Sequence, residues 1–284
     1  MKSAKILVLG ANGQLGKSLQ TRLPNQASQN NWKFYTSSEI DITKTDEIDR
    51  LFKSDPSPQY IVNCAAYTQV DKAEKEVDKA RNVNALALDY LSEKCSIYGS
   101  TLIHISTDFV FDGKISRPLK ETDTPRPINV YGQTKREGEQ RIDHHLQNYF
   151  ILRTGWLYSR FNKNFLQTIL HLAQNNETIK IVADQIGTPT HTLVLVEAIQ
   201  TIIQTGSTAY GLYHIANEGV ASWYDFAHEI VNQAQLPCRV LPISTKEYPT
   251  PAKRPPFSVL DKAKFKARFH QQLPHWKDSL GDCF

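Results

Sequence analysis

The chain opens on an unbroken apolar run, Ile6-Leu7-Val8-Leu9, between Lys5 and Gly10. Apolar residues at consecutive positions fill both faces of a strand, as in a parallel sheet covered by helices on both sides. The pattern returns at residues 32–37, 59–64, 101–106 and 149–154, which read as four more short strands. Between them, residues 14–23, 43–53 and 78–98 read as helices, as does a stretch around Tyr131. Pro24 stops the first helix, Asp41 and Thr43 are cap candidates for the second, and Gly99 closes the third. Strands alternating with helices predict an α/β fold: a Rossmann-like, doubly wound parallel sheet with right-handed crossovers.

The rhythm changes beyond residue 156. Residues 164–174 and 192–205 read as helices and 210–215 as a strand, and Ser222 caps a helix that Pro237 ends. Residues 248–256, Tyr-Pro-Thr-Pro-Ala-Lys-Arg-Pro-Pro, are held stiff and extended by their prolines. The expected division is a dinucleotide-binding Rossmann domain over residues 1–156. Residues 157–284 mainly form a smaller substrate-binding lobe, with segments interleaved with the sheet.

Gly10-Ala11-Asn12-Gly13-Gln14-Leu15-Gly16 joins the first strand to the first helix. Glycines there give a tight turn and close backbone approach, and the helix N-terminus offers its N–H groups to a pyrophosphate. The spacing is wider than Gly-x-Gly-x-x-Gly, so a plain glycine-rich turn is the competing reading. Placement between a strand and a helix at the start of the chain favours a dinucleotide. The second strand ends in Thr36-Ser37-Ser38, where an acid that binds ribose is expected, with Glu39 and Asp41 further on. Lack of a carboxylate there removes a repulsion against a 2′-phosphate, and Ser37 and Ser38 can bond one. The cofactor expected is NADPH in preference to NADH. Asn63-Cys64-Ala65-Ala66-Tyr67-Thr68, ending the third strand, is small enough for a ribose and a ring to lie against its backbone.

Tyr131-Gly132-Gln133-Thr134-Lys135 carries the candidate chemistry. Residues four apart share a helix face. A phenol titrates near ~10, and a fixed ammonium beside it brings that value down. Tyr131 can then exchange a proton with a carbonyl or alcohol oxygen. A tyrosine packed beside a solvated lysine is the bland alternative. Thr107, at the end of the fourth strand, falls on the same C-terminal sheet edge, where open α/β folds bind ligands. Arg254 can clamp a diphosphate bidentately, or be an ordinary loop arginine.

Composition narrows the class. Of 284 residues 40% are hydrophobic and 22% charged, which suits a soluble globular chain. The net charge of +4 comes without a dense basic block, so nucleic acid is not expected and a phosphorylated substrate is. Cys64, Cys95, Cys238 and Cys283 form no Cys-x-x-Cys and read as reduced thiols. The apolar run at residues 6–9 is too short for a signal peptide and no stretch could span a bilayer, so a cytoplasmic protein with no membrane partner is expected. The histidine spacing suggests no metal site.

These pieces resemble the extended short-chain dehydrogenase/reductase family, and within it the nucleotide-sugar reductases. The resemblance spans about residues 5–276 and rests on residues 10–16, NCAAYTQVDKAE at 63–74, STDFVF at 106–111, NVYGQTK at 129–135, RTGWLY at 153–158, DQIGTPT at 184–190 and YPTPAKRP at 248–255. It implies that Gly10, Asn12, Gly13, Gln14, Leu15 and Gly16 hold the pyrophosphate. Asp41 and Ile42 then lie near the adenosine, and Ala65, Ala66, Tyr67 and Thr68 near the nicotinamide. Tyr131 donates the proton, Lys135 binds the ribose and tunes Tyr131, Thr107 and Asp108 contact the sugar, and Trp156 packs against it. The implied reaction reduces the 4-keto group of dTDP-4-dehydro-6-deoxy-L-mannose to dTDP-L-rhamnose. Some members form metal-bridged dimers through acidic residues that have no match here; a plain homodimer remains an expectation.

Two alternatives stand beside this reading. One is an epimerase or dehydratase of the same fold. Dehydratases of this type carry Thr-Asp-Glu where this chain has Thr107-Asp108-Phe109, and phenylalanine cannot exchange a proton, unless another acid such as Glu121 substitutes. The other is a non-catalytic dinucleotide-binding subunit resembling the β subunit of methionine adenosyltransferase.

Overall fold

The computed structural model describes residues 4–23, 31–53 and 57–284; Pro24, the expected helix stop, lies outside them. Strand β1 (Lys5–Leu9) is buried along its whole length. Ile6 and Val8 enter the core on one face and Leu7 and Leu9 the core on the other, as the unbroken apolar run requires. With β2 (Asn31–Tyr35), β3 (Tyr60–Asn63), β4 (Thr101–Thr107) and β5 (Tyr149–Thr154) it forms a parallel sheet.

Helix α1 (Gln14–Arg22) packs on one face of the sheet, and α2 (Thr45–Phe52), α3 (Ala87–Tyr98) and α4 (Val130–His145) cover the other. The Thr43 and Asp41 caps expected for α2 do not form. Lys44 is its N-cap, and Asp41 instead accepts from the Thr43 N–H at 3.0 Å and its hydroxyl at 2.7 Å. That local turn satisfies the carboxylate two residues on and removes it from the helix end. The long helix expected over residues 78–98 is α-helical at Val77–Arg81, passes through a π turn at Asn82–Leu86, and continues as α3. Gly99 ends it in the left-handed conformation, as expected.

Beyond residue 156 come α5 (Phe165–Asn175), β6 (Thr178–Val182), α6 (Thr192–Gln204), β7 (Gly211–His214), α7 (Trp223–Gln233) and β8 (Arg239–Ile243). Two of these return to the first layer. Strand β7 pairs with β5, giving the six-stranded order β7-β5-β4-β3-β1-β2, and α6 supplies Val194, Leu195, Ile199 and Ile202 to the core shared with α1. The order reverses between β1 and β3, which is the switch point where ligands bind in such sheets. The remaining lobe has its own core, with Leu166 and Ile169 of α5 against Phe226 and Ile230 of α7. Helix α7 starts in a capping box made by Ser222 and Asp225, over the parallel β6–β8 ribbon. All four cysteines are free thiols, and no described helix is long and apolar enough to cross a membrane.

Candidate active site

The glycine-rich turn sits against the ends of β2 and β3. Gly10 and Ala11 donate their N–H groups to the Tyr35 carbonyl, each at 3.0 Å. Gly10 has φ 81°, and a Cβ there would come within 2.6 Å of the Ala65 backbone; at Gly16 it would come within 2.5 Å of the Gly10 carbonyl. Only glycine lets the three backbones meet this closely. Gly13 is the N-cap of α1 and no side chain caps it. The first-turn N–H groups therefore carry the positive end of the helix toward the switch point, a fit for a dinucleotide pyrophosphate.

Some expected cofactor contacts are narrowed. The Gln14 side chain ties α1 to the second lobe, its Oε1 accepting from the Ser159 hydroxyl at 3.0 Å and the Asn164 amide at 2.9 Å and its Nε2 lying 3.5 Å from the Leu157 carbonyl. Ile42 is buried in the core beside α2, which restricts it to backbone contacts. The end of β2 is not free of carboxylate. Glu39 folds back so that its Oε2 accepts from the Thr36 N–H and hydroxyl, both at 2.8 Å, and these bonds hold its carboxyl below the usual range. Glu39 was expected to lie beyond the strand end; a turn rather than strand register brings it back onto Thr36.

Tyr131 and Lys135 sit in the first turns of α4, at the C-terminal end of β4 and Thr107. The Asn129 side chain caps this helix through the Gly132 N–H at 2.7 Å, and its amide donates to the Lys253 carbonyl at 2.7 Å. A side chain at Gly132 would collide with the Phe109 carbonyl, so the glycine in Tyr-Gly-Gln-Thr-Lys lets α4 press onto the turn after β4. Phe109 meets Tyr131 edge to face, centroids 5.7 Å apart. Thr107 donates to Asp108 Oδ1 at 3.1 Å and accepts from the Phe109 N–H at 3.2 Å. Beneath them the buried pair Arg153–Glu139 (2.7 and 2.8 Å) joins β5 to α4, with Ser106 on the same carboxylate.

The electrostatics show what holds Tyr131 and Lys135 in the folded chain. Burial pushes the Tyr131 phenol up to about 12; the group that lowers it is Thr107, through a hydrogen bond, while Asp108 raises it further. Lys135 instead points its Nζ at the Ile105 carbonyl (2.7 Å) and His104 Nε2 (3.0 Å), and burial pulls it down to about 8. With its amine engaged by Ile105 and His104, Lys135 is not among the groups that shift the Tyr131 phenol here. Burial also raises Asp108 to about 6, against hydrogen bonds from Ser258 and Thr107.

Phe109, Trp156, Trp223, Phe165, Tyr248 and Arg254 line a cleft of about 350 Å³ between the two lobes, and none of its described lining residues is a carboxylate. Glu121, the conceivable substitute acid, accepts from the His214 N–H at 2.9 Å. Arg254 is not a free loop arginine: Nη1 and Nη2 bind the two oxygens of Asp71 at 2.9 and 2.6 Å, and Nη1 also reaches the Ala252 carbonyl at 2.7 Å. Asp71, His104, Asn63 and Trp223 were not singled out in the sequence; the only hint was a polar residue interrupting the apolar strands ending at Asn63 and containing His104. A larger cavity of about 480 Å³ lies beside Arg22, Arg160 and His191; the described lining of neither cavity includes Thr107, Tyr131 or Lys135, and the smaller one reaches Tyr131 through Phe109.

The family model for the RmlD substrate binding domain matches residues 4–284. The dTDP-4-dehydrorhamnose reductase of Aggregatibacter actinomycetemcomitans is 40% identical, with 98% of this chain and 97% of that protein covered. That of Escherichia coli K12 is 34% identical, covering 96% and 94%. A solved dTDP-4-dehydrorhamnose reductase from Bacillus anthracis, in complex with NADP, superposes with a TM-score of 0.94 at 38% identity, covering 100% of this chain and 99% of that one.

Proposed function

The chain belongs to the RmlD substrate-binding-domain family, whose members include dTDP-4-dehydrorhamnose reductases, and on that premise we propose how its side chains serve the reaction. It is an NAD(P)H-dependent oxidoreductase that reduces the 4-keto group of dTDP-4-dehydro-6-deoxy-L-mannose to give dTDP-L-rhamnose. When bound, the reduced nicotinamide supplies the hydride. The turn at Gly10, Asn12, Gly13, Gln14, Leu15 and Gly16 would hold the pyrophosphate. Asp41 and Ile42 would lie on the adenosine side, and Ala65, Ala66, Tyr67 and Thr68 on the nicotinamide side.

Tyr131 gives its hydroxyl proton to the keto oxygen as that oxygen becomes an alkoxide. A phenol pushed up to about 12 holds its proton until a stronger base appears beside it, which suits a donor. Thr107 turns its hydroxyl hydrogen from Asp108 to the same oxygen, stabilising charge that develops only in the transition state. Trp156 and Asp108 bound the sugar. Arg254 binds the diphosphate through one edge of its guanidinium. Five N–H groups are available and three are used by Asp71 and Ala252, which leaves Nε–H and one Nη2–H as a second bidentate edge.

The observation that carries the reduction is Phe109, edge to face with Tyr131 and itself lining a cleft whose described lining holds no carboxylate. It supports proton donation from one phenol, and Asp108, the acid that remains beside it, does not supply both proton transfers that elimination needs. The test is stoichiometric. With the 4-keto sugar and NADPH or NADH, cofactor loss should match formation of the rhamnosyl product, and dTDP-glucose alone should stay unchanged. Conversion without matching cofactor loss, or a 4-keto product from dTDP-glucose, overturns the reading.

A further inference from the structure

Asn63, at the end of β3, and His104, in the middle of β4, are cross-strand partners, both buried. Asn63 Oδ1 accepts the Ala65 N–H at 3.1 Å. That bond decides which end of the amide faces the histidine: the NH₂ group, 3.1 Å from His104 Nδ1. Nδ1 must therefore accept, and a neutral imidazole then carries its hydrogen on Nε2. Nε2 lies 3.0 Å from Lys135 Nζ. An N–H cannot bond to an ammonium, which has hydrogens and no lone pair. It can bond to a neutral amine, which still has hydrogens for the Ile105 carbonyl at 2.7 Å and for one further acceptor.

The opposite assignment fails at each place. A charged Lys135 needs His104 with its hydrogen on Nδ1, aimed at the Asn63 NH₂. Turning the Asn63 amide over aims that NH₂ at the Ala65 N–H. Either way two buried donors face each other, and a buried unmade bond costs roughly 1–3 kcal/mol. We infer that Asn63 and His104 are positioning residues that hold Lys135 as the neutral amine before substrate and cofactor bind.

The surroundings agree. Lys135 is faced by the Cys64 thiol from the end of β3, by His104 from β4, and along its own helix by Tyr131 and by Glu139, which Arg153 of β5 and Arg136 already pair. Burial outweighs the pull of Glu139 and Cys64 and brings Lys135 down to about 8, and burial keeps His104 neutral far below its ordinary value. Both forms of Lys135 are then within reach near neutral pH, and the direction of the hydrogen bonds decides between them.

The use made of Lys135 rests on the reductase reading, but the tautomer does not, so the two are tested apart. Nitrogen-resolved NMR of the imidazoles in the enzyme without added cofactor, assigned by the signal lost in His104→Phe, should show His104 with hydrogen on Nε2 and a bare Nδ1. Hydrogen on Nδ1, or on both, overturns the inference. Asn63→Asp places a carboxylate that accepts from Nδ1–H, which should invert the tautomer and let Nε2 accept from the ammonium. The limb of kcat/KM against pH that belongs to Lys135 should then rise by one unit or more. An unmoved limb with only a lower melting temperature means a purely structural pair and overturns the inference. If the variant does not fold, the parent's tautomer still decides, and that spectrum stands even if the sugar proves not to be a substrate.

Discussion

Trp156 and Trp223 stack face to face, with ring centroids 3.4 Å apart and planes 1° from parallel. Trp156 has φ 51°, a left-handed conformation costing a non-glycine residue roughly 1–2 kcal/mol. Trp223 donates its Nε1–H to Gln185 at 3.2 Å, and a Cβ at Gly187 would strike the Trp156 ring. The indole is thus clamped where it walls the cleft. Trp223→Ala should raise KM for the nucleotide sugar by about tenfold, the 1.4 kcal/mol expected of one aromatic contact, with kcat nearly unchanged. The coupled indole signal in near-ultraviolet circular dichroism should vanish. A fall in kcat with KM intact would contradict the clamp.

Tyr131→Phe removes only the hydroxyl. Turnover should drop by about 10²–10⁴-fold, the usual worth of general acid catalysis, while dinucleotide affinity measured by calorimetry stays within about twofold of the parent. Near-parental kcat in a chemistry-limited assay would remove Tyr131 from its role.

Asp71 holds Arg254 by one edge and leaves the other for a diphosphate. Asp71→Asn keeps a polar group but loses the fixed charge pair. KM for the nucleotide sugar should rise about three- to tenfold, and Arg254→Lys should raise it at least as much. NADPH affinity should not follow. Parallel losses of sugar and NADPH affinity would point to a general collapse of the strap at residues 248–256.

Glu39 stands at the end of β2 on Thr36. Its charge opposes the 2′-phosphate that distinguishes NADPH from NADH. Glu39→Gln should raise the ratio of kcat/KM for NADPH over NADH by about three- to tenfold, the scale of one exposed charge contact. An unchanged ratio would mean that the carboxylate lies away from the ribose.

Asp108 binds its proton more tightly in the folded chain than an ordinary carboxyl, holding it up to about pH 6. A raised folded-state pKa means that stability falls as pH rises from about 4 to about 6 and stays lower above. Asp108→Asn does not titrate. Relative to the parent it should therefore gain stability across that window, on the order of 1–3 kcal/mol, visible in melts at pH 4 and pH 7. A difference independent of pH would refute the buried-acid account.

The sequence by itself determined the layered fold, the glycine turn and the tyrosine helix. Unbroken apolar runs suit only strands covered on both faces, and glycine spacing with a Tyr-x-x-x-Lys pair is local information that one turn of chain expresses. Segments beyond residue 156 were expected to interleave with the sheet, but that β7 and α6 are the ones, and that a π turn forms at Asn82–Leu86, was not legible, since these depend on which surfaces meet rather than on periodicity. The same holds for the site. Spacing put Lys135 on the face of Tyr131, but tertiary packing turned its amine to His104 and Ile105, 30 or so residues away in the chain. Glu39 reaches Thr36, Asp71 reaches Arg254 and Trp223 reaches Trp156 for the same reason. Charge, proton position and ring stacking are properties of groups within a few ångströms, and only the folded chain decides which groups those are.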